Sequence, residues 1–367
     1  MNLRKFMKNK REILIFGAGA IGRGFLAPKF FKKNYSISFV DNNEDLIKKL
    51  KKRKKYIAAF TNGKNYKLDE VYIKDIFNIN EKLDICKYDL VFTCVGPNQC
   101  YDIINKFKGA KNIISCENDF NSKKIIKEIT GIKDVFFAIP DVITSNTAPE
   151  KLKKIDDLCT VSENGILVVE NNDLDLSNVA KKLNQKDLSM HWDCKLFIHN
   201  APHAILAYLG AQKKYKFIHQ AMNDKQIRKI ILESMNEISL GLIRSGLVNS
   251  TFVNYYKNKE IKRFQNKILF DPIKRVAREP LRKLASDNRL ILALRLSFLG
   301  NKFPKFTLVG LKAALNYYEK NDSDSVYLRN LRKSLTEGEI LKKISGVHEK
   351  DPISLLCKKI KLKSFIN

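Results

Sequence analysis

Ile13-Leu14-Ile15-Phe16-Gly17-Ala18-Gly19-Ala20-Ile21-Gly22 decides how this chain folds. Four apolar residues make a short buried strand, and G-x-G-x-x-G follows at once. Gly17 suits a tight turn, Gly19 lets backbone approach a pyrophosphate, and Gly22 lets a helix pack closely on its strand. Ala18, Ala20 and Ile21 line the same turn. Residues 20 to 34 read as a helix with Ile21, Phe25 and Phe30 inward and Lys29, Lys32 and Lys33 outward, and Pro28 kinks it. A second strand, Tyr35 to Val40, ends in Asp41, 19 residues after Gly22. About 20 is the separation at which an acid meets the ribose of a dinucleotide. Asp41 would accept from ribose hydroxyls and repel a 2′-phosphate, which favours NAD over NADP. The helix N-terminus offers free N–H groups to phosphate.

Outward from this unit, Asp89 to Val95, Asn112 to Cys116, Val135 to Ile139 and Ile166 to Val169 read as further buried strands. The fold expected is α/β, a doubly wound, mainly parallel Rossmann sheet. Ligands of such sheets bind beyond the carboxyl ends of the strands. Asn98, Asn118 and Asp141 fall at such ends, where polar residues also serve turns. From about residue 190 helical spacing takes over, as in Ile227 to Ile243, Leu290 to Leu299, Leu308 to Tyr318 and Ile340 to Ile344. Two domains are therefore expected, residues 1–188 binding the dinucleotide and 189–367 mainly α-helical, with a boundary near Lys181 to Lys186. A cleft between such domains is a usual place for a ligand.

Composition excludes several classes. A length of 367 residues with 44% apolar content supports large cores. No run approaches the ~18 apolar residues of a membrane span. The basic start, Met1 to Arg11, has no apolar h-region, so a cytoplasmic protein is expected. Seven cysteines without C-x-x-C spacing argue for reduced thiols. Five histidines without H-E-x-x-H give no basis for a catalytic metal. The net charge of +29 raises nucleic acid as a partner, but the lysines are spread along the whole chain and no aromatic-basic signature accompanies them. A solvated surface that attracts an anionic substrate is the better reading.

Lys195-Leu196-Phe197-Ile198-His199-Asn200-Ala201-Pro202-His203 carries a K-x-x-x-x-N-x-x-H pattern. It resembles the signature of the polyol-specific long-chain dehydrogenases. The resemblance also covers Phe16 to Phe25, Thr93 to Asn98, Cys116 to Asn118, His203 to Gly210 and Arg275 to Leu284. It implies a metal-independent, NAD-dependent dehydrogenase, working as a monomer on a small polyol phosphate, with mannitol 1-phosphate and fructose 6-phosphate as its expected pair. Residue by residue, Lys195 matches the general base, and Asn200 and His203 match residues that orient the reacting oxygen. Asn118 matches an asparagine at the developing oxyanion, and Asp141 an acid near the site. Val95 and Asn98 fall on the cofactor side. Val142 stands where the family usually has Arg, and Asp119 where an apolar residue is commoner.

An exposed lysine is protonated near neutral pH and is a poor base, whereas burial disfavours its charge. Leu196, Phe197 and Ile198 supply apolar neighbours. Asn200 before Ala201-Pro202 also reads as an N-cap of a helix starting near Ala201, and His203 as a histidine of its core. Arg278, Arg282 and Lys283 are the candidates for a phosphate group. A dehydrogenase of a free polyol or sugar acid, and a non-catalytic NAD-binding protein that kept the fold, are the competing readings.

Overall fold

The computed structural model describes residues 10–61, 63–176 and 178–366. The basic start before Lys10 lies outside them. The chain forms two compact units: 1–189 with 268–270, and 190–267 with 271–367.

In the first unit, β1 (Glu12–Phe16) lies between β2 (Ser36–Asp41) and β6 (Leu90–Thr93), parallel to both. β5 (Asp75–Asn78) extends the sheet beyond β2. On the other side follow β7 (Ile113–Ser115), β8 (Val135–Asp141), β11 (Ile166–Glu170) and β12 (Lys181–Leu183). The β11–β8 pairing alone is antiparallel among the paired strands of this sheet. Both faces are covered. Ile13 and Ile15 enter one apolar cluster, while Leu14 and Phe16 enter another. Burial on both faces is why β1 reads as an unbroken apolar run. Chain order reverses at β1, and the glycine turn sits at that switch point, where doubly wound sheets bind ligands.

Several elements escaped the sequence reading. β3 (Lys55–Thr61) and β4 (Tyr66–Tyr72) form a hairpin that joins β9 (Thr144–Ser145) and β10 (Thr160–Glu163) in a second, four-stranded sheet. Lysines and acids mask the alternation of β4, whose outer face is solvated. Lys181–Leu183, expected near a domain boundary, pairs with β11 as an edge strand.

The second unit is helical around one large core. Lys225–Arg244 spans about 30 Å. It crosses Arg289–Gly300 so closely that a Cβ on Gly241 would stand 2.0 Å from the Leu296 carbonyl oxygen. Ala201–Gln212 is buried from Ala201 through Gly210, as an all-apolar helix must be. Among the described residues no helix is long and apolar enough to cross a membrane.

Candidate active site

The glycine turn is built by contacts that only glycine tolerates. Gly17 has φ +97°, and a Cβ there would lie 2.9 Å from the Cys94 carbonyl oxygen. At Gly22 it would lie 1.9 Å from the Gly17 oxygen. At Gly19 it would meet nothing within 4 Å. Gly17 and Gly22 hold the turn together, whereas Gly19 leaves open space over it, which fits the pyrophosphate of a dinucleotide. Asp41 reaches back from the end of β2. Its Oδ2 accepts from the Ala18 N–H at 2.7 Å and its Oδ1 from Asn43 N–H at 2.9 Å. The carboxylate is therefore fixed beside the turn, and its remaining lone pairs can accept further donors.

The helix expected over 20 to 34 ends earlier, at Phe31, and contains a π-turn, Gly22–Leu26. The Ala27 N–H bonds to the Gly22 oxygen, five residues back. Pro28 explains the wide turn: it donates no N–H, and its ring clashes with the carbonyl four residues earlier.

The loop after β6, carrying Val95 and Asn98, is pinned by a residue that the sequence reading passed over. Glu117 is buried, and it accepts from Thr93 Oγ1 at 2.6 Å, Val95 N–H at 3.0 Å and Gly96 N–H at 2.8 Å. Burial raises its pKa, against these bonds. Asn118 follows it, half-buried beyond the end of β7, and Asp141 is buried at the end of β8. Asn98 is exposed. The two departures from the family pattern have local roles. Asp119 accepts from Tyr101 Oη at 2.5 Å and from Asn121 N–H at 2.9 Å. Val142 packs on the core of this unit, where a Cβ on Gly165 would approach it to 2.5 Å.

Lys195, Asn200 and His203 lie in the second unit on one continuous helical run, 185–212. Asn200 is not an N-cap. The α-helix Ala201–Gln212 begins where expected, but it continues a helical run, so the Asn200 backbone is itself helical and its side chain makes no cap bond. Lys195–Asn200 is a π-turn instead, closed by the Ala201 N–H on the Leu196 oxygen, and Pro202 follows it as Pro28 follows the first. Residues five apart diverge by about 140° around an α-helix. The wider i→i+5 turn narrows that divergence and turns Lys195 and Asn200 toward one side of the helix. Lys195 is half-buried; Asn200 and His203 are buried.

His203 is fixed by its surroundings. Its Nε2 is 2.8 Å from Asp271 Oδ2, and its ring stacks on Phe264 with centroids 5.0 Å apart. Arg275 donates to the other Asp271 oxygen at 2.5 Å. Burial alone would raise the Asp271 pKa; Arg275 and His203 outweigh it and hold the carboxyl well below its usual range. His199, which carried no motif, lies one turn before His203 with ring centroids 5.1 Å apart. Its Nδ1 is 2.5 Å from Glu260 Oε2, and Glu260 also accepts from Arg263 at 2.7 Å. Burial lowers the His199 pKa, against the pull of Glu260. The i, i+4 spacing of the two histidines was the available signal for His199.

Arg278 is largely exposed beside Glu279, and Arg282 bonds Glu279 at 2.8 Å. Lys283 is buried and donates to the Arg278 carbonyl. Among the described residues no three metal-ligating side chains gather.

Residues 11–138 match the mannitol dehydrogenase Rossmann domain and 187–351 the mannitol dehydrogenase C-terminal domain. The chain is 31% identical to a mannitol-1-phosphate 5-dehydrogenase of Thermoanaerobacter pseudethanolicus, over 94% of this chain and 96% of that one. It is 30% identical to the protein of that name in Clostridium acetobutylicum, over 92% and 94%. Among solved structures it is similar to Pseudomonas fluorescens mannitol 2-dehydrogenase in ternary complex with NAD and D-mannitol. The TM-score is 0.74 at 15% identity, covering 98% of this chain and 92% of that one.

Proposed function

The chain belongs to the mannitol dehydrogenase family of oxidoreductases, and from that premise we propose that it oxidises mannitol 1-phosphate reversibly to fructose 6-phosphate with NAD. The observation that carries this reading is the π-turn holding Lys195 and Asn200 just before a His203 fixed by Asp271 and Phe264. When bound, NAD supplies the hydride acceptor. It would be held by Gly17, Ala18, Gly19, Ala20, Ile21 and Gly22, with Asp41 on the ribose and Val95 and Asn98 beside it.

Lys195 Nζ takes the proton of the reacting hydroxyl, as a general base within hydrogen-bond reach. Its half-buried position lowers the cost of the neutral amine. Asn200 and His203 orient the reacting oxygen, His203 by accepting from the substrate hydroxyl, and the Asn118 and Asn200 amides donate to charge that develops on that oxygen. Their value lies in preorganisation: the His203 ring cannot swing while Asp271 holds Nε2 and Phe264 covers its face. This leaves Nδ1 as the nitrogen available to the substrate. Asp141 matches an acid of the family's site, while Arg278, Arg282 and Lys283 serve the phosphate.

The test is NADH formation from mannitol 1-phosphate and from mannitol at equal concentration, by wild type and Lys195→Ala. We expect turnover of the phosphate ester and a loss of ~10²–10⁴ in Lys195→Ala, the range for a general base. NADH formation that survives the substitution unchanged refutes the base.

A further inference from the structure

Arg289 opens the helix Arg289–Gly300, capped by Asn288, and its side chain turns inward with only 7% exposure. Nε donates to Asn288 Oδ1 at 3.1 Å, while Nη2 is buried without a hydrogen-bond partner. The Tyr208 hydroxyl, wholly buried on Ala201–Gln212, is also unpartnered. Lys283, 3% exposed, and the half-buried Arg282 lie within electrostatic reach of Arg289, as does Tyr208. Three carboxylates surround the cluster: Glu279 is bonded to Arg282 and pairs with Arg278, Asp324 acts on Lys283, and Asp322 acts on Tyr208. Glu279 is the carboxylate that acts on Arg289, and it is already committed to Arg282 and Arg278.

Buried cations without counter-charges are costly, and an orphaned guanidinium N–H adds to the cost. The effect is visible in the groups themselves. Burial, then Arg282, pushes Arg289 down to about 9, and burial, then Arg289, holds Lys283 well below the usual lysine range. Such a cluster is preorganised for one kind of ligand, a compact polyanion that accepts several bonds at once. The helix N-terminus at Arg289 adds favourable potential for an anion.

We propose that Tyr208, Arg282, Lys283 and Arg289 form an anion subsite for the phosphate monoester of the substrate, with Arg289 as its innermost donor. This rests on the reading of the substrate as a polyol phosphate. It adds Arg289, which no motif had brought forward, and gives a role to Tyr208, which lay in the family-like stretch His203 to Gly210 without one. It also makes the phosphate a counter-ion for Arg289.

The experiment uses the full chain saturated with NAD and inorganic phosphate as the probe, against chloride at equal ionic strength. Thermal unfolding and inhibition of mannitol 1-phosphate oxidation are read for wild type, Arg289→Met and Tyr208→Phe. Phosphate should raise the wild-type Tm by mass action and inhibit competitively. Arg289→Met should match or exceed wild type in chloride, since it removes an uncompensated charge, and should gain nothing from phosphate. Its phosphate Ki should rise at least about tenfold, the loss that follows from one charge-assisted contact. Tyr208→Phe, which deletes one hydroxyl, should raise Ki several-fold with the fold intact. The proposal falls if phosphate acts equally on all three proteins. It also falls if Arg289→Met lowers Tm in chloride and leaves Ki unchanged, for Arg289 then only supports its helix. Phosphate that binds through Arg289 without competing with substrate overturns the substrate assignment. Should wild type oxidise no polyol phosphate while phosphate still binds through Arg289, the proposed function fails and the anion subsite stands. Should it oxidise mannitol 1-phosphate with a KM indifferent to Arg289, the function stands and the subsite fails.

Discussion

Asp271 is a buried carboxylate that keeps its charge because Arg275 and His203 both donate to it, and this makes it both a positioning and a stabilising residue. Its pKa is held below the unfolded value, so its contribution is present above about pH 4 and is lost as pH falls further. Asp271→Asn leaves Arg275 and His203 without their shared partner. Breaking a buried pair from one side typically costs about 3–5 kcal/mol. We expect that loss near neutral pH in urea unfolding, together with a flatter decline of stability below pH 4 than in wild type. Parallel acid limbs in the two proteins would show that Asp271 carries no such linkage. The same substitution should reduce kcat, because His203 would lose its fixed tautomer and orientation.

At the scale of an element, the strand–turn–helix of residues 12–31 separates two uses of glycine that look alike in the sequence. Gly22 has a carbonyl 1.9 Å from where its Cβ would be, whereas Gly19 has open space. Gly22→Ala should therefore destabilise the fold, by a few kcal/mol as overpacking does, while Gly19→Ala should keep Tm within about 1 kcal/mol of wild type in free energy yet weaken NAD binding at least tenfold. Thermal unfolding without cofactor and NADH fluorescence titration separate the two; equal effects of both substitutions would contradict the assignment. The two π-turns are a second device at this scale. Each precedes a proline inside a helix, and each sits at a proposed ligand site. π-turns occur disproportionately at functional sites. Here the proline supplies the cause, because an interior helix that must lose one bond can widen there at little further cost.

For the whole molecule, the excess of 68 basic over 39 acidic residues acts on encounter rather than on fold. A positive field should speed the arrival of a phosphorylated substrate. The screening length falls from about 30 Å at 0.01 M salt to about 8 Å at 0.15 M. We expect kcat/KM for mannitol 1-phosphate to fall several-fold across that range, and the value for mannitol to stay level. A flat profile for the phosphate ester would remove the surface charge from the mechanism.

Much of this was legible in the residues alone. The apolar run Ile13 to Phe16, the glycines after it and Asp41 in register determine a dinucleotide-type unit, because a strand buried on both faces and a turn without Cβ atoms leave few other solutions. The K-x-x-x-x-N-x-x-H pattern singled out Lys195, Asn200 and His203 as candidates. Local pattern could not show that Asn200 continues a helix rather than starting one. A proline after an asparagine signals a helix start in isolation, whereas here helix already runs before it, and the chain widens at the proline and goes on. Nor could it show Glu117 under the loop, His199 on Glu260, or Arg289 beside Tyr208, since those partners are far apart in sequence and their meaning is burial without compensation. Periodicity and turn chemistry are local and can be read from the chain. The pairing of buried charges is a property of the folded interior, and only the tertiary structure decides it.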